Sequence, residues 1–356
     1  MAPARLRKLE PTSYHVAWIC AVADLELIPA LLMLDESHER PDIDTQYDDN
    51  SYEFGTMGGH NVVVATCPDA MTGQVNVSHI VGPLFRTFTA IKMTLLVGIG
   101  GGVPQKHLFS DPLRDVRLGD VVVGWPSHAD GKPAVVYYDS GRSLVDQFQT
   151  TTNLNRPHMV LLKALPFLRT RHTLGKLNFH TYLARLQQHE ELGSQYRHPG
   201  LEHDVLFESA YKHVGGYNSY CVGCDKANLV EREPRTESQK DKFVFHQGRI
   251  ATGNAVIQDG IKRDAINDQH QDVFCIEMEA AGVDINSSCL VIRGISDYAD
   301  SHKNDRWRAY AAGKAVVFAR ELLGNIPASD VSEKMASGLG RDDHDHMPGS
   351  YPMEEV

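Results

Sequence analysis

Long apolar runs, a cysteine framework and an excess of positive charge are all missing from this chain of 356 residues. No stretch approaches the roughly 18 consecutive apolar residues that a membrane-spanning helix needs, so no membrane partner is expected. The six cysteines, at positions 20, 67, 221, 224, 275 and 289, are scattered. Cys20, Cys275 and Cys289 fall in apolar, strand-like runs and read as small core residues, not as a disulfide scaffold. Lys and Arg number 35 against 46 Asp and Glu, and the net charge of −11 argues against a nucleic-acid backbone or an anionic membrane as partner. Met1 to Tyr14 is basic but lacks the apolar segment of a secretory signal. Internal repeats are absent too. A soluble, cytoplasmic protein is the expectation.

What is present has the balance of a globular chain, 42% apolar and 23% charged, enough for one large domain or two ordinary ones. Tyr14 to Ala21 reads as a first buried strand, and Asp24 to Leu34 carries leucines at helical spacing. Ser51 to Met57 and Val62 to Cys67, joined through Gly58-Gly59-His60-Asn61, make a hairpin-like pair. Gly73 to Phe88 reads as a helix, and Met93 to Val97 as a buried strand ending in Gly98 to Gly102. Val121 to Val123, Phe243 to Ile250 and Cys289 to Ile295 read as further strands. Met159 to Arg169, Thr181 to Glu191 and a final Trp307 to Leu323 read as helices. Strands alternating with helices argue an α/β fold with a mainly parallel sheet.

Residues 1–13 are expected to be a disordered lead-in, 35–50 an acidic connection, and 328–356 a disordered tail whose composition cannot bury a core. The body, 14–327, is interrupted at about 171–242 by a polar stretch too long for a simple connection, hence functional or a subdomain. Within it Cys221-Val222-Gly223-Cys224 has zinc-knuckle spacing but no second pair to complete four ligands. A loop element or a local disulfide is therefore preferred to a metal site. Asp342-Asp343-His344-Asp345-His346 reads as a solvated tail. No metal and no cofactor is expected.

Three strand ends carry the chemistry. Ser296-Asp297 follows a buried strand, where open α/β sheets place their ligands. A partly buried carboxyl there holds its proton more tightly, which suits Asp297 to donate it; an N-cap is the plainer reading. Glu277 and Glu279 flank Met278, and in an extended segment both carboxylates face one side. Vicinal sugar hydroxyls would satisfy such carboxylates when buried, whereas Ala280-Ala281 makes a helix start the alternative. The backbone of Gly100 and Gly101 can approach an anion or a sugar closely, although a tight turn needs similar residues. Glu26 reads first as an acidic residue favoured by the dipole of the helix it begins.

Gly98-Ile99-Gly100-Gly101-Gly102, Leu118-Gly119-Asp120-Val121-Val122-Val123, Gly253-Asn254-Ala255-Val256-Ile257, Ile276-Glu277-Met278-Glu279-Ala280-Ala281 and Arg293-Gly294-Ile295-Ser296-Asp297 occur in that order. Together they resemble the nucleoside phosphorylase and nucleosidase superfamily, nearest in pattern to bacterial methylthioadenosine/adenosylhomocysteine nucleosidases. Asp297-Tyr298-Ala299-Asp300-Ser301-His302-Lys303-Asn304, with Arg306-Trp307, resembles a fungal branch often fused to ankyrin or other repeats. The resemblance covers about 14–325.

It implies a three-layer fold, a central twisted mixed sheet partly closed into a barrel and flanked by helices. It also implies cleavage of a purine nucleoside's N-glycosidic bond, as in purine salvage. Asp297 matches the acid to purine N7, Ser296 its neighbour, and Glu279 the residue holding the ribose hydroxyls, with Met278 under the sugar. Ala255, Val256 and Ile257 match the segment lining the base. Phosphorylases of this superfamily carry Gly-Asp-Pro-x-Arg after the first strand. This chain has Cys20-Ala21-Val22-Ala23-Asp24-Leu25-Glu26, and Glu26 matches the glutamate that positions water in nucleosidases. Hydrolysis with water as co-substrate is therefore expected, in a homodimer. A phosphorylase using Arg86 or Arg142 for phosphate, a methylthioadenosine/adenosylhomocysteine nucleosidase, and a nucleoside-binding regulatory domain remain open.

Overall fold

The structure, a computed structural model, describes residues 6–126, 133–145, 147–150, 156–284 and 288–332. Arg7–Lys8 form a two-residue strand, β1, and Val16–Cys20, five apolar residues buried throughout, form β2. A π-helical turn at Ala23–Leu27 leads into α1 (Ile28–Leu32), and β3 (Glu36–Glu39) then pairs in parallel with β1. β4 (Tyr52–Met57) and β5 (His60–Thr66) are an antiparallel hairpin. Its turn residues Gly58 and Gly59 have φ of +61° and +84°, open to glycine without a Cβ penalty. α2 (Gln74–Thr87) buries Val77, Ile80, Val81 and Leu84, one face at helical spacing.

β6 (Met93–Gly102) is followed by β7 (Val121–Gly124), β8 (Val135–Tyr137) and a small hairpin of β9 (Gly141–Leu144) with β10 (Gln147–Thr150). Next come α3 (Met159–Thr173), α4 (Phe179–Gln187) and the single-turn α5 (Glu237–Lys240). β11 (Phe245–Thr252), α6 (Gly260–His270), β12 (Val273–Glu277), α7 (Ala280–Asp284) and β13 (Leu290–Asp297) alternate. α8 (Arg308–Gly324) and a short α9 (Ser329–Ser332) follow. α8 is buried almost all round, packs on β13 and β6, and anchors the core.

Among the described residues the main sheet has eleven strands, in the order β1-β3-β4-β5-β2-β6-β12-β11-β7-β13 with β8 on β11. β13 pairs back onto β6, so β6, β12, β11, β7 and β13 close a five-stranded barrel at one end of an open sheet. The sheet is mixed: β12 runs antiparallel to β6, and β13 antiparallel to β7. Alternation of elements could not show this, because it does not report which strands the chain doubles back to pair. No described helix is long and apolar enough to cross a membrane.

Several expectations are corrected. Residues 7–8 of the supposed lead-in are strand, because the acidic connection itself supplies a partner, β3. The glycines after Val97 do not end their strand; β6 runs through Gly102. Near the other end Val331 is buried, so ordered structure extends past 328. Residues 1–5 and 333–356, with the acidic and histidine-rich 342–346 segment, lie outside the described residues.

The polar 171–242 stretch joins the body through buried ion pairs. Arg235 makes a two-pronged contact with Asp120, at 2.7 Å on each oxygen. Asp204 lies 3.3 Å from Arg117, and Arg232 lies 3.2 Å from Asp115.

Candidate active site

A cavity of about 460 Å³ opens where the ends of β2, β12 and β13, the glycine half of β6 and the loop after β11 converge. Glu26, Gly100, Gly101, Ala255, Val256, Ile257, Glu277, Met278, Glu279, Ser296 and Asp297 all border it. Every residue singled out as catalytic or substrate-binding therefore reaches one place. Their local settings differ from those the sequence suggests.

Glu26 is 1% exposed. Its Oε2 accepts from the Ala21 and Val22 N–H groups at 2.7 and 3.0 Å, and its Oε1 from the Ile99 N–H at 2.8 Å. It is thus not a surface residue answering a helix dipole. Burial pushes its carboxyl above the ordinary value, against the pull of Arg293 and the three N–H groups. A carboxylate so fixed in place, with raised proton affinity, is equipped to orient water and accept a proton.

Arg293 is the residue that sequence reasoning passed over. Fully buried in the apolar β13, it donates from Nη2 to Glu277 Oε2 and, at 3.0 Å, to Glu279 Oε2. It also acts electrostatically on Glu26. A lone charged residue inside an apolar strand was the available signal, since such a charge demands buried partners. Glu277 spends its oxygens on Arg293 and on the N–H groups of Glu279 and Ala280, at 3.1 to 3.2 Å. Glu277 ends β12, and its carboxylate takes the N–H of Ala280, the first residue of α7, so the helix start offered as the alternative follows it, but buried. Glu279 also accepts from the Gly73 N–H at 3.3 Å. Burial raises its carboxyl, Arg293 opposes, and Glu277 and Glu26 add repulsion, for a value of about 7.

Asp297 sits past an irregularity in the β13–β6 register, where Ile295 pairs with Gly100 and Asp297 with Gly101. The extra residue, Ser296, re-aims the carboxylate, as bulges do beside functional sites. Ser296 Oγ donates to Asp297 Oδ2 at 2.8 Å, the Ala299 N–H donates to Oδ1 at 2.9 Å, and Lys303 Nζ lies 3.0 Å from Oδ2. The reading from burial alone did not include this cation.

The glycines provide clearance. A side chain at Gly98 would strike the Glu26 carboxylate and the Arg293 guanidinium, and a Cβ on Gly101 would stand 3.1 Å from Asp297 Oδ1. None of Gly98, Gly100 and Gly101 has a positive φ, so the tight-turn alternative falls.

Lys303, Arg308, Asp305, Tyr217 and Asn218 border the cavity as well. The last two come from the 171–242 stretch, so that part of the chain reaches the site. Arg86 and Arg142, weighed as phosphate contacts, do not line the cavity; Arg86 bonds the Gly82 carbonyl of its own helix at 3.3 Å. Cys221 and Cys224 are free thiols, so the local disulfide is not formed.

No family model matches the chain. A nucleotide-binding leucine-rich repeat (NLR)-like protein of Hyaloscypha variabilis is 37% identical over 322 residues, 90% of this chain and 30% of that protein. The ATP nucleosidase Cap17 of Escherichia coli is 25% identical over 261 residues, 71% of this chain and 40% of that protein. The chain thus spans less than half the length of these curated relatives. A solved 5′-methylthioadenosine/S-adenosylhomocysteine nucleosidase from S. pneumoniae, bound to a transition-state inhibitor, superposes with a TM-score of 0.51. That match covers 88% of this chain and 100% of the other at 17% identity, a likeness of fold. The chain thus has the fold of the nucleosidases, and its sequence is similar to those of two of them, the ATP nucleosidase above and a 5′-methylthioadenosine/S-adenosylhomocysteine nucleosidase of Anoxybacillus flavithermus, 27% identical over 131 residues, 35% of this chain and 55% of that protein.

Proposed function

We propose that this chain hydrolyses the N-glycosidic bond of purine nucleosides to free base and ribose. The convergence of Glu26, Glu279 and Asp297, from three distant segments, on one cavity carries this reading. The C1′–N9 bond breaks with its electron pair moving to the purine, which takes a proton at N7 from Asp297. Glu279 holds the ribose hydroxyls over Met278, and its negative charge stabilises the cationic sugar of the transition state. Water held by Glu26 adds to C1′ and passes its proton to that carboxylate, and solvent restores both acids between turnovers. An acid in place of a phosphate-binding arginine after the first strand favours water over phosphate.

A 5′-phosphorylated purine nucleoside is a second substrate class, favoured by Lys303 and Arg308 at the same cavity and by the ATP nucleosidase among the relatives. The deciding experiment incubates the chain with adenosine, guanosine, inosine, methylthioadenosine, uridine and ATP, with and without phosphate, and separates the products. Free base and free sugar in phosphate-free buffer support hydrolysis. Strict phosphate dependence would overturn the role of Glu26. Binding of a purine nucleoside without cleavage would make this a binding domain. We expect a homodimer, to be read by light scattering.

A further inference from the structure

The two cysteines of the 171–242 stretch do not lack partners. His213 Nδ1 lies 3.3 Å from Cys224 Sγ and 3.8 Å from Cys221 Sγ, while its Nε2 is held by Ser219 Oγ at 2.9 Å. One ring nitrogen of His302, from the loop after β13, one of His213 and Cys224 Sγ all lie within 4.8 Å of one another, and Cys221 stands just outside this group of three. His302 is 7% exposed, its ring stacks on Phe207 at 4.1 Å, and neither of its nitrogens has a hydrogen-bond partner. A buried imidazole with no hydrogen bond is costly, and a metal ion is a partner that would remove the cost. The spacing of those three is near that of a zinc site, since ligands at the usual zinc–sulfur and zinc–nitrogen lengths on a tetrahedron stand about 3.5 Å apart, and Cys221 Sγ, 3.8 Å from His213 Nδ1, is the fourth ligand an ion would draw in. Asp300 Oδ1, 3.6 Å from His302 Nδ1, is the kind of carboxylate neighbour that orients metal-bound imidazoles, as Ser219 orients His213.

We propose that His213, Cys221, Cys224 and His302 form a structural Cys2His2 zinc site. The sequence offered only the Cys-x-x-Cys half, because the second pair is one histidine eight residues before it and another beyond the last strand. Four protein ligands leave no open position, so the ion would be structural rather than catalytic. It would tie the inserted stretch to the loop that follows Asp297. Tyr217 and Asn218, between His213 and the cysteines, border the cavity, so the zinc would also fix one of its walls. Only this last consequence rests on the cavity being the active site.

The test uses the untagged full chain, reduced and purified without chelator. Elemental analysis is expected to find about one zinc per chain, and the Cys221→Ser/Cys224→Ser double variant to fall to background. The chelator-treated wild type, reloaded with cobalt, is expected to show the ligand-field and thiolate charge-transfer bands of a tetrahedral S2N2 site. Those bands should weaken or shift in His302→Ala. The cobalt spectrum needs no variant, so a poorly folding double mutant does not remove the test. Wild type that binds neither ion stoichiometrically, or a double variant that keeps its zinc, overturns the proposal. Both readouts are independent of nucleoside cleavage and so of the catalytic reading.

Discussion

One buried arginine faces three buried carboxylates in this site, and the imbalance sets the behaviour of each group. Glu279, raised to about 7, favours its neutral form in the fold. A raised carboxyl contributes stability below its unfolded value of about 4.3 and loses it as pH climbs through the folded value. The Glu279→Gln variant should match the wild type near pH 4.5 and exceed it by about 1–3 kcal/mol at pH 8. Guanidinium unfolding at the two pH values checks this, and an equal difference at both would reject it. On the proposed function, a carboxylate that costs stability once it is charged would serve to bind the substrate, the usual trade of stability for activity. For Asp297→Asn we expect turnover to drop by about 10²- to 10⁴-fold with nucleoside affinity largely retained. Paired kinetics and calorimetry would show it, and a variant that turns over normally removes Asp297 from the chemistry.

At the scale of elements, β6 explains why a strand so rich in glycine is still a strand. Its first half is apolar and fully buried, and its second half passes beneath groups that need the space of missing side chains. Glu26 is pinned by three backbone N–H groups and cannot step aside. Gly98→Ala is therefore expected to cost about 1–3 kcal/mol in denaturant unfolding, as overpacked sites do, and to lower activity together with stability. A neutral outcome would mean that Glu26 is less confined than its contacts indicate. The apolar, β-branched segments behind β2, β5, β7 and β13 are recognisable from composition alone, as is the glycine turn between β4 and β5. β1 and β3 are not: each is short and polar, and each is a strand because of what lies beside it, β3 between β1 and β4 and β1 on the edge of β3.

For the molecule as a whole, the 171–242 stretch is bound to the body by charge. Burial alone would raise the Asp120 carboxyl, but Arg235 and His246 outweigh it and hold the group well below the usual carboxylate range. A depressed carboxyl contributes stability above its unfolded value, about 3.9, and that stability drains away as pH falls toward the folded value. Unfolding midpoints should decline as the solution is acidified below about pH 4. Arg235→Met, which leaves Asp120 buried without its two-pronged partner, should cost about 3–5 kcal/mol at pH 7 and flatten the acid decline. An unchanged acid slope in that variant would show that the pair does not carry the effect.

The linear chain was enough to specify where most strands and the last long helix run, because burial and period are written in the order of apolar residues. It also specified which carboxylates would meet, through five motifs in sequence. Folding in three dimensions decided with whom they meet. Glu26 accepts from Ile99, 73 positions away. The closure of β13 onto β6 brings Arg293 to the glutamates, and Gly98 and Gly101 serve as clearance rather than as turns. The same holds for His213 and His302 beside Cys224. A hydrophobic pattern reports that a segment is buried; a buried charge or thiol also needs a particular partner, and that partner is fixed by strand register and barrel closure.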